Sequence, residues 1–263
     1  DQESTQQGPR RPPTMNTSNL KTNVVFGHEM ELPKADNITR LISMNINGIM
    51  RGDDYQDVLA MAEAFKTSSV DIATLGETNI DWRSAARGKL YDKFQRVYHK
   101  AQITTSSSSI KFDTIYQPGG TATIVTDKYT GGVTDTGSDT ELGRWSYIKM
   151  LGKHGRTIVI VTIYKVCHQS NKQAGARTAH MQQVSLLLRQ GRRITPRKAF
   201  VDNFNKQVKD WIHKGYELVI AGDINEELGS NISGFARISA KHDLVALVQH
   251  CLGVKGEQPT YAR

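Results

Sequence analysis

The sequence predicts a layered α/β protein with a partly antiparallel sheet. Three observations predict it. Short β-rich runs mix with segments of helical periodicity, two of the runs flank a tight glycine-bounded turn, and two amphipathic segments carry helix start and stop signals. The chain has 263 residues, 38% hydrophobic and 23% charged, which is globular composition and enough length for one large domain.

Residues 1–37, opening DQESTQQGPRRPPTMN, are polar and proline-rich with few large apolar side chains. They bury too little surface to offset the cost of ordering, so a disordered tail is expected there and the folded domain over 38–263. ITRLISMNI opens the domain as a strand, with Leu41, Ser43 and Asn45 on one side and Ile42, Met44 and Ile46 on the other. Asp53 or Asp54 is expected to cap a helix carrying Val58, Met61, Ala62 and Phe65. VDIATL (70–75) is a short strand, and the serine-rich TTSSSSIKFDT (104–114) reads as a loop. TATIVT (121–126) is a strand entered through the turn Pro118-Gly119-Gly120. SYIKMLGKHGRTIVIVTIY (146–164) reads as a hairpin turning at Gly152-Lys153-His154-Gly155. A helix over 178–189 has Met181, Val184, Leu187 and Leu188 as its apolar stripe and Gly191 as its stop. The clearest helix covers 195–215: Thr195 can cap it, Pro196 suits the first turn, Gly215 ends it, and Phe200, Phe204, Val208, Trp211 and Ile212 form one face. ELVIAG (217–222) is the strand that follows.

Charge narrows the partners. Formal net charge is +8 and the pI is near 9.4, which favours a polyanion such as nucleic acid. LRQGRRITPRK (188–198) gathers Arg189, Arg192, Arg193, Arg197 and Lys198, either as a solvated loop or as a phosphate-contacting edge. Two cysteines, Cys167 and Cys251, form neither a metal pattern nor a disulfide framework, and are read as reduced thiols of an intracellular protein. No apolar run approaches the ~18–20 residues that span a bilayer, so no membrane partner is expected.

Polar groups recur where apolar strands end. Asn45 and Asn47 stand two apart before Gly48, Glu77 follows Gly76, Tyr164 ends IVIVTIY, and Asp223 and Asn225 stand two apart after ELVIAG. Each alone is explained by a turn, a surface charge or a rim residue. Side chains at i and i+2 share a strand face, so each pair is expected to point one way. If the four exits converge, their carboxylate and amide oxygens suit Mg²⁺ with retained water, and an acid that orients water beside a metal and a phosphate is the kit for phosphodiester hydrolysis.

The ordered set MNING, LGETN, GGTATIVT, ELGRW, VTIYKV, IAGDINEEL and PTYAR resembles the endonuclease/exonuclease/phosphatase superfamily, the DNase I-like fold. Within it the sequence is most similar to apurinic/apyrimidinic endonucleases and to endonuclease domains of LINE-type retrotransposons. The resemblance runs from about residue 39 to the end. It implies a four-layer α-β-β-α sandwich of two mixed sheets, a Mg²⁺ (or Mn²⁺) cofactor and a DNA substrate. It implies metal-holding roles for Glu77 and Asn47, with Asn45 helping to hold the metal or a neighbouring side chain. Tyr164 would contact the phosphate, Asp223 would orient or deprotonate the attacking water, and Asn225 would bond the phosphate oxygens. Arg144 matches a recurring, structural arginine. Gly76 stands where the family has Gln. The family's later Asp strand and Ser-Asp-His do not occur before Arg263, and the nearest text is Lys241-His242-Asp243. The domain is therefore expected to be incomplete at its C-terminus, as part of a longer polypeptide with a downstream domain such as reverse transcriptase, acting in the nucleus. Two other readings are an inactive nucleic-acid-binding module and a phosphatase of the same superfamily. A generic α/β domain with coincidental turns would instead hold Asn45, Glu77, Tyr164 and Asp223 far apart.

Overall fold

A computed structural model describes residues 33–49, 53–83, 86–111, 116–167, 175, 177–226, 234–247 and 250. The expected tail up to Leu32, Cys251 and the PTYAR stretch lie outside the described residues.

The first sheet contains β1 (Leu41–Asn45), β2 (Ile72–Gly76), β3 (Ala101–Ser106) and β4 (Thr121–Thr126) in the order β1-β2-β4-β3. The second contains β5 (Val133–Ser138), β6 (Trp145–Leu151), β7 (Thr157–Tyr164) and β8 (Glu217–Asp223) in sequence order. β1 pairs parallel with β2, β7 pairs parallel with β8, and the remaining pairings are antiparallel. The expected hairpin is β6–β7, joined by a 3-10 turn at Lys153–Gly155.

Helices cover the outer faces. α1 (Gln56–Thr67) and α2 (Ala86–Val97) cover the first sheet, where Val58, Ala62, Phe65, Leu90 and Phe94 pack with Ala73, Leu75 and Ile124. α3 (Ala179–Arg189), α4 (Pro196–His213) and α5 (Gly234–Lys241) follow β7 and flank β8. On the second sheet Phe200, Phe204, Val208 and Trp211 of α4 meet Trp145, Val159, Val161 and Ile163. The result is helix, sheet, sheet, helix, the four-layer arrangement expected.

The layer between the sheets has two halves. Ile72, Val125, Ile148, Met150 and Ile160 form an apolar half. Two residues further along, the same inward faces carry Thr74, Thr121, Thr123, Ser146 and Thr162, all 0% exposed. Burying hydroxyls is costly unless each finds a partner. Here Thr123 bonds Thr162 at 2.7 Å and Ser146 at 2.9 Å, and Thr121 donates to Ser146 at 2.8 Å. This polar half lies at the C-terminal ends of β2 and β7, beneath the strand exits.

Several local expectations are corrected. Asp54 does not cap α1: Asp53–Tyr55 form a 3-10 turn, and the Asp54 carboxylate is drawn to Lys93 at 2.8 Å and Lys89 at 3.1 Å. Thr104–Ser106 of the expected loop belong to β3, because pairing with β4 satisfies their backbone. α2, β5 and the first half of β3 had no sequence reading. α3 buries His180, Gln182, Gln183, Leu186 and Leu187 and leaves Leu188 58% exposed. Its polar residues turn inward because Gln182 accepts from Gln117 Nε2 at 2.7 Å and Gln183 donates to the Leu142 carbonyl at 3.4 Å.

Candidate active site

The parallel pairs β1–β2 and β7–β8 bring four C-terminal strand ends to one edge. Asn45 lies opposite Gly76, directly before Glu77, and Tyr164 lies opposite Asp223. Two hydrogen bonds join the sheets there. Asn45 Nδ2 donates to Asp223 Oδ2 at 2.8 Å, and Tyr164 Oη donates to Glu77 Oε1 at 2.5 Å. The four residues that a generic domain would scatter are thus directly bonded in pairs. A cleft of about 200 Å³ contains Asn47, Glu77, Asn79, Tyr164, Cys167 and His180 in its walls.

The paired polar residues work through turns rather than through a shared strand face. Asn45 Oδ1 accepts from the Asn47 amide at 3.0 Å, and Asp223 Oδ1 accepts from the Asn225 amide at 2.9 Å. A side chain bonding the backbone two residues on is an Asx turn. Asn47 (φ 46°) and Asn225 (φ 47°) take the left-handed conformation, which Asn tolerates better than most residues. The first member of each pair thereby caps its own turn and still bonds its counterpart across the sandwich.

Glu77 and Asn79 are also left-handed, with φ of 52° and 54°. Left-handed non-glycine residues cost energy and gather at functional sites. Asn79 Oδ1 accepts from the Gly119 amide at 2.8 Å, fixing the turn that enters β4. A Cβ on Gly119 (φ 82°) would lie 3.2 Å from the Tyr164 ring, so glycine there lets the chain pass behind the phenol. At Gly222 (φ 133°) a Cβ would run into the Ile163 carbonyl, so the residue before Asp223 must also be glycine.

Two neighbouring side chains feel both carboxylates. Burial, then Glu77, pushes Tyr164 well above the usual phenol range, and Asp223 adds to the shift. Tyr164 therefore remains a donor, and its single proton is committed to Glu77. Burial, then Asp223 and Glu77, also raises the Cys167 thiol. Asn225 is partly committed: Nδ2 donates to the Lys165 carbonyl at 2.8 Å, and Oδ1 accepts from Cys167 Sγ at 3.0 Å. One amide N–H of Asn225 is left for a ligand.

Behind this edge Glu226 ties several elements together. It pairs with Lys165, whose side chain is 1% exposed, accepts from the Phe235 amide at the start of α5, and meets Arg197 of α4 at 3.1 Å. Arg197 also donates to the Val166 carbonyl at 2.7 Å. Arg144 is buried, paired with Asp139 at 2.5 Å and lying 4.5 Å from the Trp145 ring, and its carbonyl accepts from the Tyr164 amide at 2.8 Å. It supports the strand end without entering the cleft.

No protein-family model matches the chain, and no curated protein matches it. Its likeness is to solved endonuclease/exonuclease/phosphatase structures. One is a protein of that family from Leptotrichia buccalis C-1013-b, with 13% identity, TM-score 0.42, 78% of this chain covered and 74% of the other. Truncated Caenorhabditis elegans TDP2 has 18% identity and TM-score 0.42, over 71% of this chain and 61% of that one. An AP endonuclease from Archaeoglobus fulgidus has 13% identity and TM-score 0.42, over 77% and 63%. The chain thus spans less than two thirds of the last two.

The donor set fits a small, hard, hydrated cation. Among the described residues no group of three or more His, Cys, Asp or Glu comes together. Glu77 and Asn47 line the same cleft, so a carboxylate and an amide there could hold a hard divalent cation that keeps several waters. The sequence reading missed Asn79, Cys167 and His180 as cleft residues. Asn79 was findable, since Glu77-x-Asn79 repeats the two-residue spacing already noted at the other exits. His180 and Cys167 carried no local signal.

Proposed function

We propose that this chain is a divalent-cation-dependent phosphodiesterase acting on nucleic acid, with DNA as substrate and Mg²⁺ as the cation. The observation that carries the reading is the cross-sheet pair of bonds, Asn45–Asp223 and Tyr164–Glu77, which brings two carboxylates to one edge of the sandwich, beside the cleft that Glu77 lines. Glu77 and Asn47 would hold the cation. When bound, such a cation neutralises phosphate charge as bonds to phosphorus change.

The chain's own groups supply the rest. Asp223 is held by Asn45 and by the Asn225 amide, and its remaining lone pairs can accept a proton from an attacking water. Asn225 offers its last N–H to a phosphate oxygen. Tyr164 positions Glu77 instead of binding phosphate, because its only proton is already used. The +8 net charge favours a polyanionic ester over a neutral one. Incubation with supercoiled plasmid and Mg²⁺ tests the reading. Nicking abolished by EDTA, and reduced roughly 10²–10³-fold in Glu77→Gln, is the expected result; nicking that EDTA leaves untouched contradicts it.

A second reading is a nucleic-acid-binding module without turnover. The +8 net charge supports binding to a polyanion whether or not a bond is cleaved. Salt-sensitive binding with no nicking would support this reading.

A further inference from the structure

One wall of the cleft holds a residue that the hydrolytic reading does not use. Tyr116 contributes to the same cleft as Glu77 and Asn47, and it is 42% exposed. Its surroundings are fixed. Tyr116 bridges Ile80 in antiparallel fashion, and the following Gln117 is fully buried. The Gln117 amide donates to the Asn79 carbonyl at 3.2 Å, and its side chain donates to Gln182 at 2.7 Å. A large ring is therefore left in water on a pinned backbone, inside a mainly polar cleft. Thr178 and Tyr116 line the same opening, and exposed Arg177 directly precedes Thr178 in the chain.

An aromatic platform beside cationic charge and a phosphate-sized polar cleft is the combination that binds unpaired nucleotides, since every base has a π-face and every nucleotide a phosphate. Bases inside a duplex have both faces covered by their neighbours. We infer that Tyr116 is the stacking platform for one unstacked nucleobase next to the scissile phosphate, so that the substrate is single-stranded or has a base displaced from its stack. The inference rests on the proposed function for its phosphate and adds the class of nucleic acid.

Binding without turnover tests it separately from hydrolysis. The full chain, in EDTA, is titrated into fluorescein-labelled oligothymidylate and into a strand of equal length with abasic spacers, which keeps the phosphates and lacks the bases. The wild type is expected to bind the base-bearing strand about ten-fold more tightly. Tyr116→Ala is expected to lose that difference while binding the abasic strand as the wild type does, with unchanged melting temperature because the ring is exposed. Tyr116→Trp should retain the preference and show fluorescence quenching on oligothymidylate. Equal preference in wild type and Tyr116→Ala overturns the inference, as does failure of the wild type to bind either strand. A Tyr116-dependent preference in a chain that never cleaves supports the platform and counts against hydrolysis alone.

Discussion

Asp223 and Asn45 show how a turn and a site can be one device. Each side chain closes an Asx turn at its strand exit, and the two side chains then bond each other across the sandwich. The pairs were legible as turn-forming and as polar, and the spacing of two was right. The inferred geometry was not, because a shared strand face assumes extended backbone and Asn47 and Asn225 are left-handed. Nor could sequence alone show that the Tyr164 proton is spent on Glu77. Tyr164→Phe is expected to slow cleavage roughly 10–100-fold, the worth of a hydrogen bond to a charged group, and to lower the melting temperature by a few degrees. Cys167 reports the local field independently of turnover. Its thiol is raised by burial, then by Asp223 and Glu77, so alkylation at neutral pH should be slow and accelerate as pH climbs toward and past the ordinary thiol value. Neutralising either acid, in Asp223→Asn or Glu77→Gln, removes a raising charge and should speed alkylation of Cys167 at pH 8, followed by peptide mass spectrometry. An unchanged rate in both variants would place the acids away from the thiol.

Among the elements, α4 was read almost completely. Thr195 accepts from the Lys198 amide at 3.3 Å, Pro196 opens the helix, and Phe200, Phe204, Val208 and Trp211 are buried. Cap, proline and apolar period agreed, so local sequence and tertiary packing gave one answer. Thr195→Ala should cost about 0.5–2 kcal/mol in denaturant unfolding, and Phe204→Ala about 3–5 kcal/mol. α1 was legible in its buried face but not in its start, because Asp54 serves a distant partner. Lys93 is almost wholly buried, and Lys93 with Lys89 holds Asp54 down at about 2. A carboxylate depressed in the folded state stabilises above its unfolded value and loses that contribution as pH falls through the folded one. Asp54→Asn should therefore melt below the wild type at pH 7, and the gap should close between about pH 4 and 2. A gap independent of pH would deny the pair. α2 escaped notice because its apolar positions are sparse and its charged residues many, and β5 because its faces are half-exposed.

For the molecule as a whole, layer order follows from which faces are apolar, while the meeting of strand ends follows from parallel pairing that no single segment encodes. That long-range pairing is why the fold class was readable from local pattern but the site needed the ordered motifs as well. The basic balance belongs to this scale too. Nucleic-acid affinity should fall steeply between 50 and 200 mM salt if phosphates are neutralised, as fluorescence anisotropy would show. The central claim is that Glu77 and Asp223 serve one chemical step from opposite sheets. Single-turnover cleavage rates for wild type, Glu77→Gln, Asp223→Asn and the double variant test it most directly. Groups that act as a unit should each cost roughly 10²–10³-fold alone and little more together. Single variants that cleave at the wild-type rate would contradict the account.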